Sequence, residues 1–251
     1  MTDISVIIIT KNEAKNIREC LESVSWAAEI IVVDSRSSDG TASICNELGA
    51  KVYVHDWPGF GEQKNRALAY ATHDWVFSID ADERVTPELR SEIQNAVNDS
   101  SVDGYYCPRL SQFCGKYIRH SGWYPDYVLR LFKRNQGRFS DDLVHESVRV
   151  EGLTTKLKNP LLHFSYLTQE DVLRKIEQYS TAAAAQMKQK GKRCTVLDAP
   201  VRGSWAFIRT YVLRRGFLDG AAGWRIARMN AKTTYLKYHR LRQLISAQAS
   251  F

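Results

Sequence analysis

The chain has no run of about 18 uncharged apolar residues, so nothing in it reads as a membrane-spanning helix. Its opening, Met1-Thr2-Asp3-Ile4, lacks the basic stretch and apolar core of a secretion signal. No CxxC pair occurs among Cys20, Cys45, Cys107, Cys114 and Cys194; an odd set of this kind reads as reduced thiols in a cytoplasmic protein. There is no internal repeat and no low-complexity tract. The loop after the first apolar run, Thr10-Lys11-Asn12-Glu13, contains no glycine, which argues against a dinucleotide dehydrogenase and against a sugar nucleotidyltransferase. Acids are scarce in one region. Between Arg202 and Arg242 ten Lys and Arg stand against Asp219 alone, a local charge of +9 that leaves −2 for the rest of a chain carrying +7.

What is present is an ordinary globular composition, 44% hydrophobic and 25% charged, over 251 residues. That length holds one large α/β domain, or a catalytic domain with an appendage. Ile4–Ile9 and Glu29–Val33 are short apolar, β-branched runs, the pattern of buried strands, and Lys51–Val54 and Trp75–Ile79 read as a third and a fourth strand. Between them, helical spacing predicts helices over 14–24, 40–48 and 62–71, with Asp39 as an N-cap and Gly49 as a C′ residue. Strands alternating with helices predict a doubly wound, mainly parallel sheet whose ligands sit at the carboxyl ends of its strands. After a helix from Pro87 to about Asn98 the pattern loosens. Strands are expected near 105–110 and 128–133, and Thr168-Gln169-Glu170-Asp171 reads as a capping box opening a helix that reaches Gly191. The stretch 191–203 reads as a linker, followed by helices from about 204 to 215 and 223 to 244. The predicted division is therefore a catalytic domain over 1–190 and a basic helical region over 191–251.

The acids cluster where a parallel sheet would expose them. Asp34 and Asp39 follow the second strand, and Asp80-Ala81-Asp82-Glu83 follows the fourth. On an extended chain Asp80 and Asp82 share one side. Carboxylates there suit Mg²⁺ or Mn²⁺ carrying a diphosphate; a solvated loop, with Glu83 merely opening the next helix, is the alternative the stretch alone leaves open.

Ile4–Ile9 followed by Thr-Lys-Asn-Glu, Val32-Val33-Asp34-Ser35-Arg36-Ser37-Ser38-Asp39-Gly40-Thr41, Gly61-Glu62-Gln63-Lys64-Asn65-Arg66-Ala67 and Ile79-Asp80-Ala81-Asp82-Glu83 together resemble a family 2 glycosyltransferase with the GT-A fold. Four motifs in order over about 80 residues make the resemblance specific, where DxD alone would not. It implies an inverting transfer from a nucleotide sugar, UDP-glucose foremost. Thr10, Asn12, Glu13, Asp34, Lys64, Asp80 and Arg130 would line the nucleotide sugar. Asp34 would read the uracil imide, Asp80 the ribose or a metal-bound water, and Asp82 the metal directly. Glu83 would support the shell. Ser35-Arg36 departs from the family's frequent Asp-Gly and leaves the base less certain, and Lys64 replaces a frequent arginine.

Downstream, Gly122-Trp123-Tyr124-Pro125-Asp126 resembles the acceptor-side motif, which implies Asp126 as catalytic base. Glu146 in Val144-His145-Glu146 is the rival, and His163 is placed like a late metal-binding histidine. Tyr211–Gly220 resembles the C-terminal part of bacterial lipopolysaccharide-core β-1,4-glucosyltransferases that modify heptose. The implied acceptor is a lipid-linked saccharide at the cytoplasmic face of the inner membrane, where basic and aromatic residues would meet anionic lipid. No nucleic-acid motif accompanies the basic region. Two further possibilities share the donor motifs: another acceptor (protein or polyprenyl phosphate), and a non-catalytic nucleotide or nucleic-acid binding module.

Overall fold

The computed structural model describes residues 3–140, 147–166 and 168–246. In chain order the elements are β1 (Ile4–Thr10), α1 (Ile17–Ser23), β2 (Glu29–Asp34), α2 (Thr41–Glu47), β3 (Lys51–Val54), α3 (Phe60–Tyr70), β4 (Trp75–Ser78), β5 (Glu83–Val85) and α4 (Pro87–Ala96). There follow β6 (Gly104–Phe113), β7 (Lys116–Tyr117), β8 (Asp126–Lys133), β9 (Gly137–Phe139), β10 (Val148–Val150), β11 (Thr154–Lys156) and β12 (Leu161–Tyr166). Helices α5 (Gln169–Gln189), α6 (Asp198–Ile208) and α7 (Ala221–Ser246) close the chain. Two compact units form: 1–110 with 126–163, and 111–125 with 164–251. Helix α5 thus belongs to the helical unit, which begins ahead of the boundary expected at 190.

In the first unit β3, β2, β1 and β4 are neighbours in that order, all parallel, and β8 then pairs antiparallel with β4. The chain leaves β1 toward β2 on one side and returns as β4 on the other. A crevice therefore opens above the carboxyl ends of β1 and β4, the topological switch point. Strand β1 is buried on both faces, which is why it reads as a continuous apolar run. Ile4, Val6 and Ile8 pack with Ile17 and Leu21 of α1 and with Leu89 and Ile93 of α4. Ile7 lies in a separate cluster with Ile31, Val33 and Ala67 of α3, so the strand's period of two divides its side chains between two helical layers.

One buried carboxylate fixes the amino-terminal edge of this sheet. Glu29 accepts from Ser5 Oγ (2.6 Å), Thr72 N (2.7 Å), Thr72 Oγ1 (2.8 Å) and Lys51 Nζ (2.8 Å). Burial opposes its ionisation, but Lys51 and the three donors prevail and hold its pKa down at about 2. A depressed carboxylate adds stability that is complete above its unfolded pKa and is lost as pH falls toward the folded value. Glu29→Gln is accordingly expected to cost about 2–3 kcal/mol at neutral pH, with the gap to wild type closing between about pH 4.5 and 2. Urea unfolding across that pH range measures it; a gap that does not change with pH would refute the assignment.

Asp39 does not sit at the N-cap expected of it. Gly40 takes that position in the left-handed region (φ +88°), and Asp39 Oδ1 instead accepts from Thr41 N and Oγ1 while Oδ2 accepts from Ala14 N, tying α2 to the loop after β1. In the helical unit the capping box is as expected: Thr168 Oγ1 accepts from Asp171 N, and the Asp171 carboxylate accepts from Thr168 N. The stretch read as a linker instead contains the start of α6. Asp219, the lone acid of the basic region, is buried and accepts from the backbone N–H groups of Arg119 and His120 and from Ser121 Oγ (2.8 Å).

Candidate active site

Strand β4 ends at Ser78, and the acids follow on a turn rather than on extended chain: Glu83 N donates to Asp80 O at 2.9 Å. The turn sends Asp80 and Asp82 to different partners. Asp80 Oδ1 pairs with Lys64 Nζ at 3.0 Å and Oδ2 with Arg130 at 2.5 Å. Asp82 Oδ2 lies 3.3 Å from His163 Nε2. Burial raises the cost of charge on Asp80, yet Arg130 and then Lys64 outweigh it and hold the carboxyl well below the usual range. Arg130 is likewise raised above an ordinary arginine, against its own burial, by Asp80 and Glu83.

Glu83 is fully buried and does more than open a helix. Its Oε1 accepts from Arg130 at 2.6 Å, and its Oε2 accepts from Asp80 N at 3.0 Å, which fixes the turn. Arg109 reaches both ways, lying 3.6 Å from Glu83 and donating from Nε and Nη2 to Asp126 Oδ2 at 3.0 and 2.6 Å. Lys64, Asp80, Arg130, Glu83, Arg109 and Asp126 therefore form one ladder of alternating charge, with three cations balancing three acids. Asp82 stands outside that balance. The ladder's middle members, Glu83 as a bridge and Arg109, were missed from the sequence because they are joined only through β5, β6 and β8, which are distant in the chain.

Two cavities flank Asp80. The first, about 390 Å³, is walled by Thr10, Lys11, Glu13, Asp80, Asp82 and His163, with Trp57 and Phe60 at one side. Those two rings meet edge to face at 4.7 Å and are substantially exposed, an aromatic wall without a counterpart in the sequence reading. The second, about 430 Å³, is walled by Lys64, Asp80, Arg109 and Arg130 with Tyr106, Tyr127 and Phe139. Burial raises the Glu13 pKa, and the nearby Asp82 and Asp39 add to the effect.

The expected residues are not all brought together. Asp34 is buried behind Thr10, its partner across β1 and β2, and its oxygens accept from Thr10 Oγ1 (2.8 Å), Ser37 N (2.8 Å) and Ser37 Oγ (2.6 Å). Arg36 in the left-handed region (φ +56°) turns the chain so that Ser37 folds back onto it. Asn12 is exposed and holds the neighbouring loop, accepting from Ser38 N. Glu146, with His145, lies outside the described residues. Three polar positions of the Gly61–Ala67 motif have structural work: Gln63 donates to Ser35 Oγ, Lys64 pairs with Asp80, and Asn65 exchanges two hydrogen bonds with the Phe139 backbone.

Among the described residues no group of three His, Cys, Asp or Glu side chains is placed to hold a metal by itself. The Asp82–His163 pair nevertheless suits a divalent ion that keeps most of its coordination for diphosphate oxygens and water, as Mg²⁺ and Mn²⁺ do, and the imidazole favours Mn²⁺ of the two.

An open α/β sheet with an acid-lined crevice at its switch point is the architecture of GT-A glycosyltransferases. The chain belongs to glycosyl transferase family 2, whose model matches residues 5–155. It is 30% identical to the lipopolysaccharide core biosynthesis glycosyltransferase LpsC of Rhizobium meliloti, over 94% of this chain and 93% of that protein. An uncharacterized glycosyltransferase of Rickettsia bellii is 32% identical over 96% of this chain and 86% of its own length. Among solved structures, S. aureus TarS 1-349 covers 98% of this chain and 92% of its own, at 16% identity and a TM-score of 0.49.

Proposed function

We propose that this glycosyltransferase moves a hexose, glucose from UDP-glucose, onto an inner-core heptose of a lipid-linked saccharide, with inversion at C1. The observation that carries the reading is the ladder: it neutralises Asp80 and leaves Asp82 beside His163 on the cavity wall. Asp82 and His163 would hold Mn²⁺ or Mg²⁺, which when bound neutralises charge on the diphosphate.

The rest of the chemistry belongs to side chains. Asp126 is the base of this reading. Arg109 grips Oδ2 and so fixes the carboxylate's orientation, leaving Oδ1 to take the acceptor hydroxyl proton. The acceptor oxygen bonds to C1 as the C1–O bond to the diphosphate breaks on the opposite face, and the electron pair leaves with UDP. Lys64 and Arg109, held in place by the ladder, and Lys11 on the wall of the first cavity would set positive charge near the anionic leaving group. Thr10 and Glu13 border the nucleotide cavity. Asp34 would act through Thr10, by holding its hydroxyl. Residues from 191 onward would meet an anionic membrane surface at the inner face of the inner membrane, where a lipid-linked acceptor resides.

Calorimetry with UDP, with and without Mn²⁺, followed by transfer assays from a panel of UDP-hexoses to heptose-containing core saccharide, tests this. Metal-strengthened UDP binding and transfer from UDP-glucose are the expected results. Failure to bind UDP, or transfer from a different nucleotide sugar alone, would overturn the donor assignment.

A further inference from the structure

Helix α6 is amphipathic in an unusual sense, because its small residues are inside and its large apolar residues are outside. Ala199, Gly203 and Ala206, continued by Thr210, are buried. A Cβ on Gly203 would come within 3.2 Å of Tyr235 Cβ and 3.3 Å of Ala231 O, so the small face is what admits α7. The opposite face carries Leu197 (68% exposed), Val201 (61%), Trp205 (55%), Ile208 (44%) and Val212 (51%). At 3.6 residues per turn the first four of these lie within about 80° of arc. Leu213, Phe217 and Leu218 extend the exposed apolar surface past the helix end. A solvent-facing stripe on a surface helix is normally polar, and contiguous exposed apolar surface of this kind marks an interaction site.

The charge beside the stripe says what covers it. Arg202 and Arg209 follow stripe residues along one flank of α6, and Arg214 and Arg215 follow its end; all four are exposed. Asp198 offsets Arg202, accepting from it at 2.8 Å, but Asp219 is turned inward to residues 119–121 and leaves the charge on Arg209, Arg214 and Arg215 standing. A second copy seated on this face about a two-fold axis would bring arginine toward arginine. Beside the stripe lies an apolar groove of about 530 Å³ walled by Pro200, Phe207, Ile208 and Tyr235.

We infer that the outward face of α6 and the turns that follow it form a docking surface for an anionic phospholipid bilayer. Leu197, Val201, Trp205, Ile208 and Val212 enter the interface, and Arg209, Arg214 and Arg215 meet lipid phosphates. A tryptophan at the centre of the stripe suits the headgroup boundary. Among the described residues no helix is long and apolar enough to cross a membrane, so the mode is interfacial. The inference rests on the lipid-linked-acceptor reading for its purpose, and on the stripe and its arginines for its physics.

Vesicle flotation of the full chain is the test, with phosphatidylcholine alone and with added phosphatidylglycerol. Binding to the phosphatidylglycerol vesicles alone, weakening as salt rises, is expected. Val201→Ser with Trp205→Ser should abolish it. Arg209→Gln with Arg215→Gln should weaken it roughly twenty-five-fold, at about a factor of five per cation. All these side chains are exposed, so a matching circular-dichroism melt confirms that the variants fold. Transfer to a delipidated, water-soluble acceptor separates this inference from the functional reading: loss of transfer with intact flotation defeats the function and leaves the docking surface. Absent flotation on anionic vesicles with transfer intact overturns the docking surface. So does sedimentation showing a wild-type dimer that the serine variant converts to monomer while flotation persists.

Discussion

Asp82→Ala is expected to lower kcat by about 10²–10³-fold, the scale of removing one preorganised group that stabilises developing charge. The side chain is about a third exposed and pairs with His163 at 3.3 Å, so the fold should be nearly untouched, within about 0.5 kcal/mol. Two measurements separate loss of a metal ligand from a general defect. UDP binding without metal should match wild type, while the strengthening by Mn²⁺ should vanish. Wild-type turnover at saturating Mn²⁺ in Asp82→Ala would assign metal binding elsewhere.

Arg130→Met should be the most costly single change to the fold around the site, at about 3–5 kcal/mol, because it removes the guanidinium that bridges the fully buried Glu83 and the partly buried Asp80. Glu83 would be left with Arg109 at 3.6 Å, and Asp80 with Lys64 at 3.0 Å. The pH dependence identifies the cause. In wild type the depressed Asp80 carboxyl contributes stability that is fully present above about pH 4 and is lost only below it. In the variant the fully buried Glu83 keeps only the longer contact to Arg109, so it gains a proton in the folded state more readily than in wild type and acidification narrows the deficit. The deficit should therefore be largest near pH 8 and smaller at pH 5, as measured by urea unfolding. An equal deficit at both values would point to lost packing and away from stranded charge.

Much of this arrangement was legible in the sequence where the information is local. The first two strands are largely apolar, β-branched runs because both faces of β1 and β2 are buried, and Thr168 and Asp171 are three apart because a capping box needs that spacing. The order of the four motifs placed the acids at strand ends. Other expectations failed for identifiable reasons. Period-two alternation at Asp80 and Asp82 gave way to a turn closed by Glu83 N and Asp80 O. Leu197 and Val201, inside a stretch read as linker, belong to the start of α6; helical signals there were masked by Pro200, which is tolerated in the first turn of a helix.

The sequence by itself determined the parallel half of the sheet, the family, and which acids stand at strand ends, because those follow from hydrophobic period and from motifs within a few residues of each other. Only the tertiary structure decided which acid is spent on the fold and which faces the cavity. Arg130 and Arg109 reach Asp80, Glu83 and Asp126 across β4, β8 and β6, and pairing between strands this far apart in the chain leaves no local pattern. The same is true of α6: composition gave apolar residues and arginines, but only packing against α7 shows that the small residues face inward and the large ones face out.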